Sequence, residues 1–302
     1  MDFKSKIILI YGPTASGKSS FAIKLAKKIN GEVINADSMQ VYKELKILSA
    51  RPNKEDYKNI KHHLYGFQNV KKKFSTGHWL KLVNMKILEI KKRKKTPILV
   101  GGTGLYFKAL TDGLVKIPNI PNKYREKIRS LHKKIGSKKF YSKLVKLDPL
   151  IKHYLNPSDT QRVIRAYEIK LFTKKSIYEW FKNTKSKYEQ KDFYKIYIDF
   201  PRDELIKQIS YRAGKMIERG AILEVKRFIK LKVPKNKTAS KAIGINEIKD
   251  FINKKIQISE LIEKISIKTR QYAKRQTTWG RGHMSDWNKI KSNGLNQFLK
   301  KI

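Results

Sequence analysis

Residues 7 to 26, IILIYGPTASGKSSFAIKLA, constrain the fold most tightly. An apolar run of strand length breaks into a glycine-rich loop and resumes with helical spacing. Gly12 to Ser19 fits G-x-x-x-x-G-K-[ST] in the strand-to-helix context that such a motif needs. Gly12 and Gly17 let backbone N–H groups converge on anionic oxygens, and the start of the helix adds its positive end. Gly12, Pro13, Thr14, Ala15, Ser16, Gly17, Lys18 and Ser19 are therefore the candidate phosphate cradle. Lys18 supplies a point charge, and Ser19 offers a hydroxyl to Mg²⁺, the one cofactor expected.

The pattern around this loop alternates strands with helices. VINA (33 to 36) and TPILV (96 to 100) read as further strands, the latter after a helix over 78 to 94. Such alternation implies an α/β fold, a P-loop-containing parallel sheet core covered by helices. At DGLVKIPNIP (112 to 121) the pattern changes. From there to about residue 190 the periodicity is helical with no strand candidate, which predicts an inserted all-helical lobe. FYKIYIDF (193 to 200) resumes as a strand, and helices follow, including a long one over 259 to 279. The expected organisation is a core of residues 1–112 and 191–302 with an insertion over 113–190.

Charge narrows the partners. The 302 residues carry 70 Lys and Arg against 25 Asp and Glu, a formal net charge of +45. Part of the lysine excess is solvated helix surface, but the scarcity of acids points to a large polyanion, with nucleic acid ahead of a membrane surface. The absence of cysteine excludes disulfides and Cys-ligated metal, and fits a reducing cytoplasm. No apolar stretch reaches the roughly 18 residues of a membrane span.

Ligands of open α/β sheets sit beyond the carboxyl ends of the strands. The second strand ends in NADSMQVY (35 to 42), which brings Asp37 and Ser38 beside the loop, and the third ends in GGTGLY (101 to 106). These glycines are expected to let a ligand approach the backbone. A motor ATPase would carry an acid there instead. Asp199 is a candidate metal-side carboxylate or, more commonly for that position, a helix cap. At this level the loop fits a nucleotide kinase or an RNA-stimulated NTPase as well as enzymes that never hydrolyse a nucleotide.

GPTASGKS, NADSMQVY, HHL (62 to 64), PILVGGTGLY, NPSDTQRVIRAYEI, AIG (242 to 244) and TRQYAKRQTTW occur in the order and approximate spacing of the bacterial tRNA dimethylallyltransferases, which this chain resembles over roughly residues 7 to 279. The resemblance implies transfer of a dimethylallyl group from its pyrophosphate to N6 of the adenine beside the anticodon in tRNA. It gives the loop to the allylic pyrophosphate, Asp37 the general-base role, Thr103 a place near the reacting groups and Arg212 a contact to the pyrophosphate. It also implies a tRNA surface. Asp37, Ser38, Met39, Gln40 and Thr103 would meet the target base. Gln161, Arg162, Val163, Ile164 and Arg165, together with Arg270, Lys274 and Arg275, would grip the anticodon stem-loop. The expected protein is a cytoplasmic monomer. Tyr65 and Gly66 stand where the family often has HHLID, and the aromatic that often follows the tryptophan is missing.

Overall fold

The computed structural model describes residues 3, 5–182 and 184–302. Its first strand β1 (Ile7–Tyr11) leads through the glycine loop into α1 (Lys18–Lys28), and β2 (Gly31–Asn35) follows. The two-residue strand β3 (His62–His63), α2 (Thr76–Lys92), β4 (Thr96–Gly101) and α3 (Gly104–Thr111) complete the first part. Next come the helices α4 (Asn122–Leu147), α5 (Thr160–Thr173) and α6 (Ile177–Lys182). The chain then forms β5 (Phe193–Asp199), α7 (Arg202–Glu218), α8 (Ala221–Lys230), α9 (Ile245–Ile252), α10 (Ile258–His283), β6 (Asn288–Lys291) and α11 (Leu295–Lys300).

The sheet has the order β3-β2-β4-β1-β5-β6 with all pairs parallel. The expected α/β architecture is therefore the one that forms. Period-two alternation sends Ile7, Leu9 and Tyr11 to one face, against α2, α3 and the end of α10. Ile8 and Ile10 face the other way, against α1 and α11. Burial on both faces explains why β1 reads as an unbroken apolar run. The edge strands β3 and β6 were not legible in sequence. HH and NKIK are too short and too polar to show a strand pattern, and pairing with β2 and β5 defines them.

Contacts divide the chain into two units, residues 1–111 with 188–302 and residues 112–187. In the second, Ile128, Phe140, Leu144, Ile151, Leu155, Val163 and Ala166 form a separate apolar core. Glu168 is buried there and receives Arg129 at 3.5 Å and Arg165 at 3.1 Å. In the first unit, buried Glu32 likewise gathers Arg93, Lys95 and His63 at the amino end of β2.

Candidate active site

The sheet delivers three strand ends to one edge. Beyond β1, Ala15 and Gly17 hold positive φ angles of 65° and 74°, which bend the loop into a concave turn before α1. Lys18 donates from Nζ to the Pro13 carbonyl at 3.0 Å. Burial lowers its pKa to about 8, against the pull of Asp37. Arg212, on α7, donates to Thr14 Oγ1 at 2.8 Å. Burial also lowers the Arg212 pKa, again opposed by Asp37. Of the neighbouring arginines, Arg202 and Arg219 are exposed, and Arg212 is the one that reaches the loop.

Beyond β2 the bend is built by Asn35, which is fully buried. Its Oδ1 accepts from the Asp37 N–H at 2.9 Å, and its Nδ2 donates to the carbonyls of Asp37 and Leu64, each at 3.0 Å. Trp79 Nε1 donates to the Asn35 carbonyl at 2.9 Å, which locks the strand end from below. The Asp37 carboxylate accepts from the Met39 N–H at 2.9 Å. Beyond β4, Thr103 Oγ1 accepts from the Ser38 N–H at 2.9 Å, joining the two strand ends. The Tyr272 hydroxyl lies beside Thr103. Burial, reinforced by the negative charge of Asp37, holds Tyr65, Tyr106 and Tyr272 well above the usual phenol range, so three neutral phenols surround this carboxylate.

The glycines after β4 do a different job from the one expected. A Cβ on Gly101 would lie 2.1 Å from the Ala36 carbonyl oxygen. One on Gly102 would lie 1.9 Å from Gln276 Nε2, and one on Gly104 2.0 Å from Trp279 Nε1. These positions admit the protein's own Ala36, just past β2, and α10 to the site edge, so the reading of them as a ligand approach is corrected. Asp199 is not a helix cap, since α7 starts after Pro201 without a side-chain cap.

The other candidates divide by position. Gln40 donates its amide to the carbonyls of Ser49 and Ala50, and Met39 packs on a neighbouring core, so both shape the segment after Asp37. Gln161, Arg162, Val163, Ile164 and Arg165 lie on α5 of the second unit. Val163 is 2% exposed and packs inside that unit, so the expectation that it touches RNA is corrected. Ile164 is partly buried against the same core, and Arg165 is held by Glu168, which leaves Gln161 and Arg162 as the exposed members. On α10, Lys274 and Arg275 are exposed. Arg270 and Lys274 line a groove of about 790 Å³ between α7 and α10 that also contains Asp199, Arg202 and Arg281. This groove includes neither Asp37 nor the glycine loop. Among the described residues no cluster of three His, Asp or Glu side chains is placed to hold a metal, and no helix is long and apolar enough to cross a membrane.

A concave glycine loop with two half-buried cations faces a carboxylate and a threonine on the adjoining strand ends of the α/β sheet, an arrangement suited to a transferase with a phosphate-bearing donor. The family model described as IPP transferase matches residues 40–283, and the chain belongs to that family. It is 59% identical over 302 residues to the tRNA dimethylallyltransferase of Pelagibacter ubique, covering 100% of this chain and 96% of the relative. It is 41% identical to the enzyme of that name from Agrobacterium fabrum over 292 residues, 96% of this chain and 98% of the relative. Among solved structures, the tRNA isopentenylpyrophosphate transferase of Bacillus halodurans superposes with a TM-score of 0.70 at 30% identity, covering 98% of this chain and 95% of that one. A eukaryotic dimethylallyltransferase acting on tRNA superposes with a TM-score of 0.84 at 30% identity, covering 97% and 75%.

Proposed function

We propose that this enzyme transfers the dimethylallyl group of dimethylallyl diphosphate to N6 of the adenine beside the anticodon of tRNA. The observation that carries the reading is the meeting of the half-buried Lys18 and Arg212 at the loop with Asp37 and Thr103 on the neighbouring strand ends. In the reaction the allylic C–O bond breaks, the C–N6 bond forms, and one proton leaves the amine. Negative charge grows on the departing diphosphate, where Lys18, Arg212 and the loop N–H groups stabilise it. The Ser16 hydroxyl, buried with no hydrogen-bond partner among the described residues, is of the kind that a phosphate oxygen satisfies. Asp37 accepts the amine proton, and Thr103 holds the Ser38 segment beside it. The adenine has to leave its stack to reach this carboxylate.

The donor set fits Mg²⁺ carried largely by the diphosphate. The protein offers the partly exposed Ser19 hydroxyl on the first turn of α1 and no multi-carboxylate cage among the described residues. When bound, the ion neutralises leaving-group charge. The basic exposed face of α10 and the exposed Gln161 and Arg162 of α5 grip the tRNA backbone. The protein works as a cytoplasmic monomer. A donor test separates this reading from a kinase or NTPase. With tRNA and dimethylallyl diphosphate, inorganic diphosphate should be released; with tRNA and ATP, phosphate should not. ATP turnover without diphosphate release from the allylic donor would overturn the reading.

A further inference from the structure

Gln276 is a neutral side chain, 4% exposed, on the inward face of α10. Its Oε1 accepts from the Thr14 N–H at 2.8 Å, and its Nε2 donates to the Gly102 carbonyl at 2.8 Å. A backbone N–H only donates and a carbonyl only accepts, so the two partners fix the orientation of the amide. The helix backbone is anchored at the same residue, where Tyr11 donates its hydroxyl to the Gln276 carbonyl at 2.6 Å. One leg of the amide thus ends on Thr14, whose hydroxyl receives Arg212 on the diphosphate side. The other ends on Gly102, next to Thr103, which holds Ser38 and the Asp37 segment on the adenine side. Gly102 has no room for a Cβ because this amide occupies the space.

From this geometry we infer that Gln276 is a positioning residue that sets the distance between the diphosphate loop and the adenine-side strand end, and so the alignment of donor carbon with acceptor nitrogen. It touches neither substrate. The inference rests on the transfer reaction proposed above. Alignment acts on the chemical step rather than on the binding of either substrate, and a misplacement of about 1 Å costs on the order of 10²-fold in rate. A residue that merely supported the fold would alter stability and leave the rate of the folded enzyme unchanged.

The test uses the full-length protein with Gln276→Ala, Gln276→Glu and Gly102→Ala, with single-turnover rates measured alongside separate dissociation constants for dimethylallyl diphosphate and tRNA. Gln276→Ala and Gly102→Ala should slow the transfer step by roughly 10²-fold, with both dissociation constants staying within a few fold. Gln276→Glu should be slow when ionised, because a carboxylate faces the Gly102 carbonyl. It should recover relative to wild type on acidification, because a protonated carboxyl restores both hydrogen bonds. Normal single-turnover rates in folded variants, or losses confined to the dissociation constants, would overturn the proposal. If the wild type transferred no prenyl group, the functional reading would fall instead. Exchange of the Thr14 amide hydrogen would then decide the positioning role: acceleration in Gln276→Ala supports it, and unchanged exchange overturns it.

Discussion

The sheet-edge site and the helical second unit treat charge in opposite ways. At the site, Lys18 and Arg212 are half-buried, each bonded to a loop atom and shifted by its surroundings, and Asn35, Thr103 and Gln276 tie the backbone down between them. In the second unit one acid, Glu168, is buried between two arginines, while most basic side chains stand in solvent. The contrast teaches that bond-breaking depends on a few groups held to fractions of an ångström, whereas gripping a polyanion depends on a summed field that tolerates the loss of any one member. Mutations in the two regions should therefore differ in kind as well as in size.

The largest effect should come from Asp37→Asn. The amide keeps the shape and removes the proton acceptor, so single-turnover transfer should fall roughly 10²- to 10⁴-fold while tRNA affinity stays within a few fold. Loss of tRNA binding instead would make residues 37 to 40 a recognition segment and blur the contrast. Lys18→Ala should reduce turnover by at least ~10²-fold, the loss expected for one preorganised electrostatic partner of the leaving group. A rate near that of the wild type would mean that the cradle acts through its backbone alone.

Titration gives a smaller effect. The Lys18 ammonium, with its pKa lowered to about 8, is charged below that pH and neutral above it. Donor affinity, measured without tRNA, should be flat below pH 8 and weaken about tenfold per pH unit above it. Lys18→Ala should lack that dependence. The smallest single-residue effect belongs to the second unit. Arg162→Ala should weaken tRNA binding only several-fold and leave donor affinity unchanged. It should also reduce the slope of log K against log salt by about 0.9 for each phosphate that the side chain neutralises in the wild type. Arg162 is the cleaner probe, because Arg165→Ala would also strip buried Glu168 of a partner. A slope that Arg162→Ala leaves unaltered would move the RNA grip away from α5.

How far the sequence revealed these regions follows the same division. The loop and Asp37 at the neighbouring strand end were legible because phosphate chemistry demands particular residue types after particular strands, whereas Thr103 and Arg212 were reached only through the resemblance to the dimethylallyltransferases. The long buried strands were legible because both their faces are apolar. Asn35 and Gln276 were not singled out, since an asparagine at a strand end and a glutamine in a helix reveal their role only through backbone groups far away in sequence. The one available signal was that Gln276 falls four residues after Tyr272 and three after buried Ala273, on the inward face of a helix rich in cations. The glycines at 101, 102 and 104 were visible, but which neighbour needed the space was not. Val163 was carried along with its motif, although helical spacing turns it inward from Arg162.

The central claim is that the sheet-edge site transfers an allylic group and does not handle ATP. Unmodified tRNA should be incubated with the protein, Mg²⁺ and dimethylallyl diphosphate, then digested, and its nucleosides weighed by mass spectrometry. The account predicts an adenosine heavier by one isoprene unit at the position beside the anticodon, with none in the Asp37→Asn reaction over the same interval. Unmodified adenosine throughout, with ATP consumed when it is supplied, would contradict it.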